Sequence, residues 1–486
     1  MRLSELLREV EFEGSIKNDF DIKFVTDDSR LVRPGALFVC IRHRSFDGHT
    51  AAAEALASGA AAVVTQERLG LENELNVVDS RAAYARLCAA LCGHPERKLR
   101  MIGVTGTNGK TTVTTLIRNI LSDSGIKTLL TGTVCNRLGE ESLPSGLTTP
   151  KPPELYSLLS RAVLSGCEAC VAEASSQALA QGRLEGIAFD AAVFTNITRD
   201  HLDYHGTFEN YLAAKKKLFE HSKVSAVNLD DPRADEIIAA SSGKTVTFST
   251  VLDCADYTTK NISLLPEGVS FELVSKGRIE HINFASPGLF SVSNAMAAAV
   301  CAINLGVDPR SAAQSLARSK GVCGRLERVE CGTPYSVIID YAHTPDGLEQ
   351  VLRALRPSCR GKLIVLFGCG GDRDKTKRPL MGAAACKYAD TVIVTSDNPR
   401  SEEPMRIIGD ILKGTDKKRR GLFIEEDRRR ATALALSLAK PGDTVLLAGK
   451  GHEKYQLICG EKLPLDERET VREILGLPHD TGRKKP

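Results

Sequence analysis

Residues 101–112 read MIGVTGTNGKTT, and the chain continues TTVTTLIRNILSDSG to Gly125. An apolar run, a glycine-rich turn and a helical pattern stopped by glycine follow one another directly, which predicts strand, loop and helix. That context gives the glycines a chemistry. Backbone N–H groups freed at Gly106 and Gly109 can point at phosphate oxygens, and the helix N-terminus adds partial positive charge. Lys110 can reach the terminal phosphates and Thr111 can hold Mg²⁺. With Thr107, Asn108 and Thr112 completing the loop, ATP or GTP is the expected ligand. The commonest spacing, GxxxxGK, would place glycine at position 104, where this chain has Val104.

Around this segment the composition is that of an ordinary globular protein. A chain of 486 residues is too long for one core, and at roughly 100–200 residues per domain it predicts about three. With 42% hydrophobic and 26% charged residues and a net charge of +3, the balance lacks the basic excess of a nucleic-acid protein. Anionic ligands must be met locally. The N-terminus MRLSELLREVEFEG has acidic residues where an export signal needs an apolar core, and no run of about 18 apolar residues occurs. The expectation is a cytoplasmic chain that is neither exported nor membrane-spanning. Its 14 cysteines then read as reduced core residues. Cys167 and Cys170 form a lone CxxC among apolar neighbours, which reads as packing rather than a zinc site. The terminal GRKKP reads as a solvated tail.

Three α/β stretches follow from the alternation of patterns. In the first, residues 1–98, GALFVCI, AAAVVTQ and NVVD read as strands between the Ala-rich helices HTAAAEALASG and RAAYARLCAAL. Gly93-His94-Pro95 breaks the last helix before a new apolar strand. The second, 99–330, carries most of the polar motifs. The third, 331–486, contains SVIIDYAH, KLIVLFG, TVIVTSD and DTVLLAGKG. Several of these strands stop in Gly, Asp or His, and ligands in open parallel sheets sit at the carboxyl ends of strands.

TGTNGKTT resembles the loop shared by Mur ligases and folylpolyglutamate synthetases. EASSQ at 173–177, NITRDHLDYHG at 196–206, GRLE at 324–327 and DYAHTPD at 340–346 follow in the family's order and cover essentially the whole chain. The resemblance implies a three-domain α/β architecture: a small UDP-binding N-terminal domain, a central P-loop ATPase domain and a C-terminal Rossmann-like domain. It also implies an ATP- and Mg²⁺-dependent ligase that joins an amine to a carboxylate through an acyl phosphate. DDSR at 27–30, LTTP at 147–150, SSQALAQGR at 175–183 and DNPR at 397–400 resemble family members acting on UDP-N-acetylmuramoyl-L-alanyl-D-glutamate. Members with DNPR add meso-diaminopimelate, whereas lysine-adding members usually lack that arginine. A monomer is expected.

Site roles are carried over on the matching motifs. Glu173 and His201 are implied as Mg²⁺ ligands beside Thr111, while His205 matches no ligand. The run of Lys215, Lys216 and Lys217 reads by itself as a solvated helix face. The family pattern aligns Lys215 with a lysine carbamylated by CO₂, which would exchange a cation for an anion at the metal site. Arg325 is implied near the phosphates, Asp340 at the ribose and Asn294 on the adenine side, although Ser291 stands where the family usually has Asn. Ser29, Arg30, Arg44, Ser45 and Phe46 resemble uridine-diphosphate contacts. Thr148, Thr149, Ser175, Gln181 and Arg183 resemble the grip on the muramoyl dipeptide.

In the third stretch, Arg373, Asp397, Asn398, Pro399, Arg400, Gly449 and Glu453 match the amino-acid site, with Lys450 and His452 unassigned. Three charged strand ends of one sheet suit a zwitterion. Rival readings are the same reaction with L-lysine, a folylpolyglutamate synthetase and a nucleotide switch without ligase chemistry.

Overall fold

The computed structural model describes residues 1–478 apart from 15, 44–45, 266, 320 and 417–418. Its strands form sheets of five, eleven and six strands in chain order, plus a two-stranded hairpin, Tyr455–Ile458 with Glu461–Pro464. In each of the three large sheets the inner strands run parallel; antiparallel strands stand at both ends of the eleven-stranded sheet and at one end of each of the others.

The strand Arg100–Thr105 lies at the centre of the eleven-stranded sheet, between Ala169–Glu173 and Ala191–Phe194. Residues of such a strand are buried on both faces, which explains an unbroken apolar run in place of alternation. Helices Lys110–Asp123 and Leu289–Asn304 cover one face through Leu116, Ile117, Ile120, Val292 and Met296. On the other, helix Pro152–Leu164 packs with Ser80–Leu91 of the N-terminal unit, so Tyr84, Leu87, Tyr156 and Leu159 belong to one continuous core. Gly125, at φ +84°, ends the loop helix as its sequence predicts.

One expected strand is displaced. NVVD was expected to be extended, yet pairing covers Glu74–Asn76 and leaves Val78 94% exposed. The reason is local: the Asp79 side chain accepts from the N–H groups of Arg81 and Ala82 and starts the next helix, so the chain must already leave the sheet. All fourteen cysteines are free. Cys170 is fully buried in its strand, and burial pushes its thiol up to about 12, which agrees with packing. Among the described residues no helix is long and apolar enough to cross a membrane.

The six-stranded sheet is lined on one face by Leu348, Leu352, Met381 and Ile408 and on the other by Ala431, Leu436 and Val471. Behind its strand ends lies an ion pair, Arg428 with Glu467, whose side chains are 0% and 1% exposed. Arg428 also donates to the carbonyls of Ala448 and Ser396. Removing one partner of a buried pair costs about 3–5 kcal/mol, because the other charge is left uncompensated. Arg428→Met is therefore expected to lower the urea midpoint by that equivalent, whereas Arg428→Met with Glu467→Leu should recover most of it.

Candidate active site

The phosphate loop is tightened by its neighbours. A Cβ at Gly106 would lie 1.9 Å from Thr195 Oγ1, and one at Gly109, where φ is +86°, would lie 2.5 Å from Asn294 Oδ1. Neither position admits a side chain. Thr195 Oγ1 donates to the Asn108 carbonyl at 2.6 Å, and Asn108 N–H donates to Asn196 Oδ1 at 2.9 Å. Lys110 Nζ folds back to donate to the carbonyls of Gly106 and Thr107 at 2.8 and 2.9 Å. Burial lowers its ammonium below the usual lysine value, against the opposing pull of Glu173 and Asp200. Thr112 is half-buried on the first turn of the helix.

Glu173 stands at the end of the strand beside the loop, 1% exposed. It accepts from Thr111 Oγ1 at 3.2 Å and from the Thr133 hydroxyl and N–H at 2.9 Å each. Thr133 was missed by sequence reasoning; the available signal was a hydroxyl following glycine at a strand end. From Thr133 a polar row continues: its hydroxyl oxygen meets the Thr148 hydroxyl at 3.0 Å. Thr149 Oγ1 donates to the Glu173 carbonyl at 2.6 Å and meets Ser175 Oγ at 3.1 Å. Arg183 donates to the Thr149 carbonyl at 2.7 Å and twice to Gln181 Oε1. Five residues predicted on separate motifs thus meet in one wall.

Across the loop, His201 occupies a left-handed conformation at φ 53° and stands 3.4 Å from Asp200. Burial keeps its imidazole below its usual pKa, against the pull of Asp200, so near neutral pH it is uncharged and can offer a nitrogen lone pair. Lys215 is 1% exposed, with Nζ 4.6 Å from the Tyr211 ring centroid. Its neighbours Lys216 and Lys217 lie nearer the surface, as a solvated helix face requires. Tyr211 also faces the His201 ring and exchanges a 2.9 Å hydrogen bond with Thr107, tying this helix to the loop. Among the described residues no carboxylate forms an ion pair with Lys215. Burial drives its amine well below the usual lysine value, and the nearby Lys110 charge adds to that. His205 bonds Ser176 Oγ at 3.0 Å.

The turn 324–327 brings Arg325 from beyond the central sheet. Its guanidinium donates to Thr111 Oγ1 at 3.1 Å and lies 4.6 Å over the Tyr341 ring. Asn108 Nδ2 reaches Asp346 at 3.0 Å, a second bond between loop and C-terminal unit. Asp340, expected at a ribose, accepts from the backbone N–H groups of Leu326 and Ala342, one on each oxygen, at 2.7 Å each. Ser291 turns to the Pro287 carbonyl and Ser286, while Asn294 faces Gly109.

At the C-terminal strand ends, Asp397, Asn398 and Pro399 are buried and Arg400 and Glu453 half-buried. Lys450, unassigned from sequence, is their centre: Nζ donates to Asn398 Oδ1 at 2.5 Å, Glu453 Oε2 at 3.1 Å and the Tyr455 carbonyl at 2.8 Å. Asn398 then donates its amide to Glu453 at 2.9 Å. Burial pushes the Asp397 carboxyl up, but Lys450 and Arg428 outweigh it and hold it below its usual value. Gly449 lies against Asp397. Arg400 has φ 54°, its N–H bonds the Leu457 carbonyl, and its guanidinium donates to the Gly371 carbonyl at 2.7 Å. Arg373 is exposed on the adjacent loop.

In the N-terminal unit, Ser29 begins a short 3-10 turn and Arg30 is clamped to Asp28 at 2.7 Å with its side chain 86% exposed. Phe46 is exposed; Arg44 and Ser45 lie outside the described residues. Among those described, no three His, Cys, Asp or Glu side chains converge as a metal cage.

Three mostly parallel sheets, a phosphate loop met by Glu173 and Arg325, and a buried polar cluster of Asn398, Lys450 and Glu453 at the C-terminal strand ends are features of a nucleotide-dependent ligase, and the comparisons agree. Residues 21–90 match the family model described as Mur ligase family, catalytic domain; 104–302 match the Mur ligase middle domain; and 324–451 match the Mur ligase glutamate ligase domain. The chain is 42% identical to UDP-N-acetylmuramoyl-L-alanyl-D-glutamate–2,6-diaminopimelate ligase of Syntrophomonas wolfei, over 98% of this chain and 99% of that protein. It is 44% identical to the enzyme of that name from Caldanaerobacter subterraneus, again over 98% and 99%. A solved structure of a protein with that name superposes with a TM-score of 0.71 at 35% identity, covering 98% of this chain and 99% of that one. This chain belongs to the Mur ligase family.

Proposed function

We propose that the chain is the ATP-dependent ligase that joins meso-diaminopimelate to the D-glutamate γ-carboxylate of UDP-N-acetylmuramoyl-L-alanyl-D-glutamate, a cytoplasmic step of peptidoglycan precursor synthesis. The observation that carries this is the Thr111 hydroxyl, which touches both Glu173 and Arg325. It joins the phosphate loop, the candidate metal carboxylate and the C-terminal unit at one point. A free carboxylate is a poor electrophile, so the γ-carboxylate oxygen first attacks the γ-phosphorus of ATP, with ADP leaving. The amine then attacks the acyl carbon, a proton is lost from nitrogen, and inorganic phosphate departs.

The residues present fit Mg²⁺. Thr111 and Glu173 supply hard oxygen donors where phosphate oxygens would complete the shell. His201 and a carbamate on Lys215 would hold a second ion. Bound there, Mg²⁺ supplies positive charge against the phosphates. A Lys215 amine whose neutral form burial favours suits carbamate formation: its nitrogen bonds the carbon of CO₂ and the proton leaves to solvent. Lys110, released from its own loop carbonyls, contacts the terminal phosphates. The row from Thr148 to Arg183, rich in hydroxyls, an amide and one guanidinium, suits a ligand of amides and carboxylates. Ser29, Arg30 and Phe46 fit the uridine diphosphate.

Arg400 selects the amino acid. Meso-diaminopimelate differs from lysine by one distal carboxylate, which a planar guanidinium holds with paired charge-assisted bonds. Such bonds are worth about 1.5–3 kcal/mol each. Arg400→Ala should therefore raise KM for diaminopimelate by roughly 10- to 100-fold, with KM for ATP nearly unchanged. The decisive assay is a panel of amino acids read by product mass and by phosphate release that requires the UDP-dipeptide. Equal use of lysine by the wild type, or release with folate and glutamate in place of these substrates, would sink this reading.

A further inference from the structure

Helix Glu467–Ile474 opens with two adjacent side chains that reach two different sites. Glu467 holds Arg428, which in turn donates to the carbonyls of Ser396 and Ala448 beside the amino-acid pocket. Arg468 grips Glu327: Nε donates to Oε1 at 2.6 Å and Nη2 bonds Oε2. Neither side chain of this pair is widely exposed, at 17% and 27%. The same Glu327 Oε2 accepts the Gly324 N–H at 2.6 Å. Glu327 therefore staples the turn 324–327 across its own backbone while Arg468 fixes the carboxylate from outside.

The turn needs such a clamp. Leu326 has φ 43°, a left-handed conformation that disfavours leucine. Gly324, at φ +69°, passes so close to the loop 451–452 that a Cβ would lie 2.3 Å from the His452 nitrogen. Between this close-packed glycine and the left-handed leucine stands Arg325, whose guanidinium meets Thr111. A bidentate guanidinium–carboxylate pair is directional as well as strong, so it can hold a turn in a conformation the backbone would otherwise leave.

We propose that Arg468 is a positioning residue for Arg325: through Glu327 it holds the turn 324–327 in the shape that lays the Arg325 guanidinium against the phosphate loop. This rests on the reading of Arg325 as phosphate-facing. Arg468 itself touches no group assigned to substrate, and it acts on ATP chemistry through the turn alone.

The test is a double-mutant cycle in the full-length enzyme, with kcat and KM measured for ATP and for the UDP-dipeptide. Arg325→Ala should lower kcat/KM for ATP by about 100-fold, the scale of one lost charge-stabilising donor. Arg468→Ala should lower it by about tenfold, with KM for the UDP-dipeptide within about twofold of wild type, and Arg468→Lys should recover part of the loss. In the Arg325→Ala background, adding Arg468→Ala should change kcat/KM by less than about twofold, because its target is already gone. The same factor in both backgrounds would mean general destabilisation and would overturn the proposal. So would wild-type ATP kinetics for Arg468→Ala when Arg325→Ala is impaired. Normal ATP kinetics for Arg325→Ala would instead remove the underlying reading of Arg325. If Arg468→Ala fails to fold, Glu327→Gln enters the same cycle under the same criteria.

Discussion

Lys110→Met is expected to lower ATP-dependent ligation by at least about 10²- to 10³-fold, the range for losing one preorganised charge at a reacting group. The ammonium donates to the carbonyls of Gly106 and Thr107, so the group that would meet the phosphates lies over the loop. Methionine keeps the length of the stem and removes the charge and the donors. The loop itself should survive, because Thr195, Asn196 and Tyr211 hold it independently of Lys110. Calorimetric affinity for the UDP-dipeptide should therefore stay within about twofold, since its contacts lie on other elements. Near-normal phosphate release in this variant would remove the phosphate-loop assignment.

Lys215→Ala is expected to lose about 100-fold or more in turnover and to regain part of it when millimolar formate or acetate is added. The argument is electrostatic. A buried amine with no carboxylate partner contributes little as a cation, because burial and the charge of Lys110 both favour its neutral form. As a carbamate it would add negative charge to that of Asp200 at a second cation site beside His201. A small carboxylate entering the space left by alanine restores that charge without the tether. Full activity of Lys215→Ala, or a loss that neither acid relieves, would count against the carbamate. The first of these would return the residue to the plain helix face its sequence suggests.

Lys215 also marks where sequence reading by itself gives out. KKK carries no mark distinguishing a buried lysine from two solvated ones, and only the packing of its helix against Tyr211 and the loop separates Lys215 from Lys216 and Lys217. The phosphate loop lay at the other extreme: strand, glycines, lysine and helix are contiguous, so local chemistry determines them. Glu173 and the row from Thr148 to Arg183 were found through separate motifs, but their meeting at Thr133 depends on strand order and could not be read from any one segment. Lys450, a lysine between two glycines at a strand end, has no assignment from sequence. Its burial beneath Asn398 and Glu453 is a tertiary fact. Asp340 differs again, since its carboxylate is committed to the backbone of the turn that follows the central unit.

The placing of Arg100–Thr105 at the middle of its sheet bears on synthesis. In register, Thr105 pairs with Phe194, and the Thr195 N–H donates to the Thr105 carbonyl across 90 residues of chain. At about 5–20 residues per second, a ribosome needs roughly 5–20 s to deliver that neighbour after the strand itself has emerged. Throughout that interval an apolar segment destined for burial on both faces has an open hydrogen-bonding edge. The nascent chain thus passes through a window in which a holding chaperone has the segment 100–105 to bind, and the window closes when residues 191–194 leave the exit tunnel.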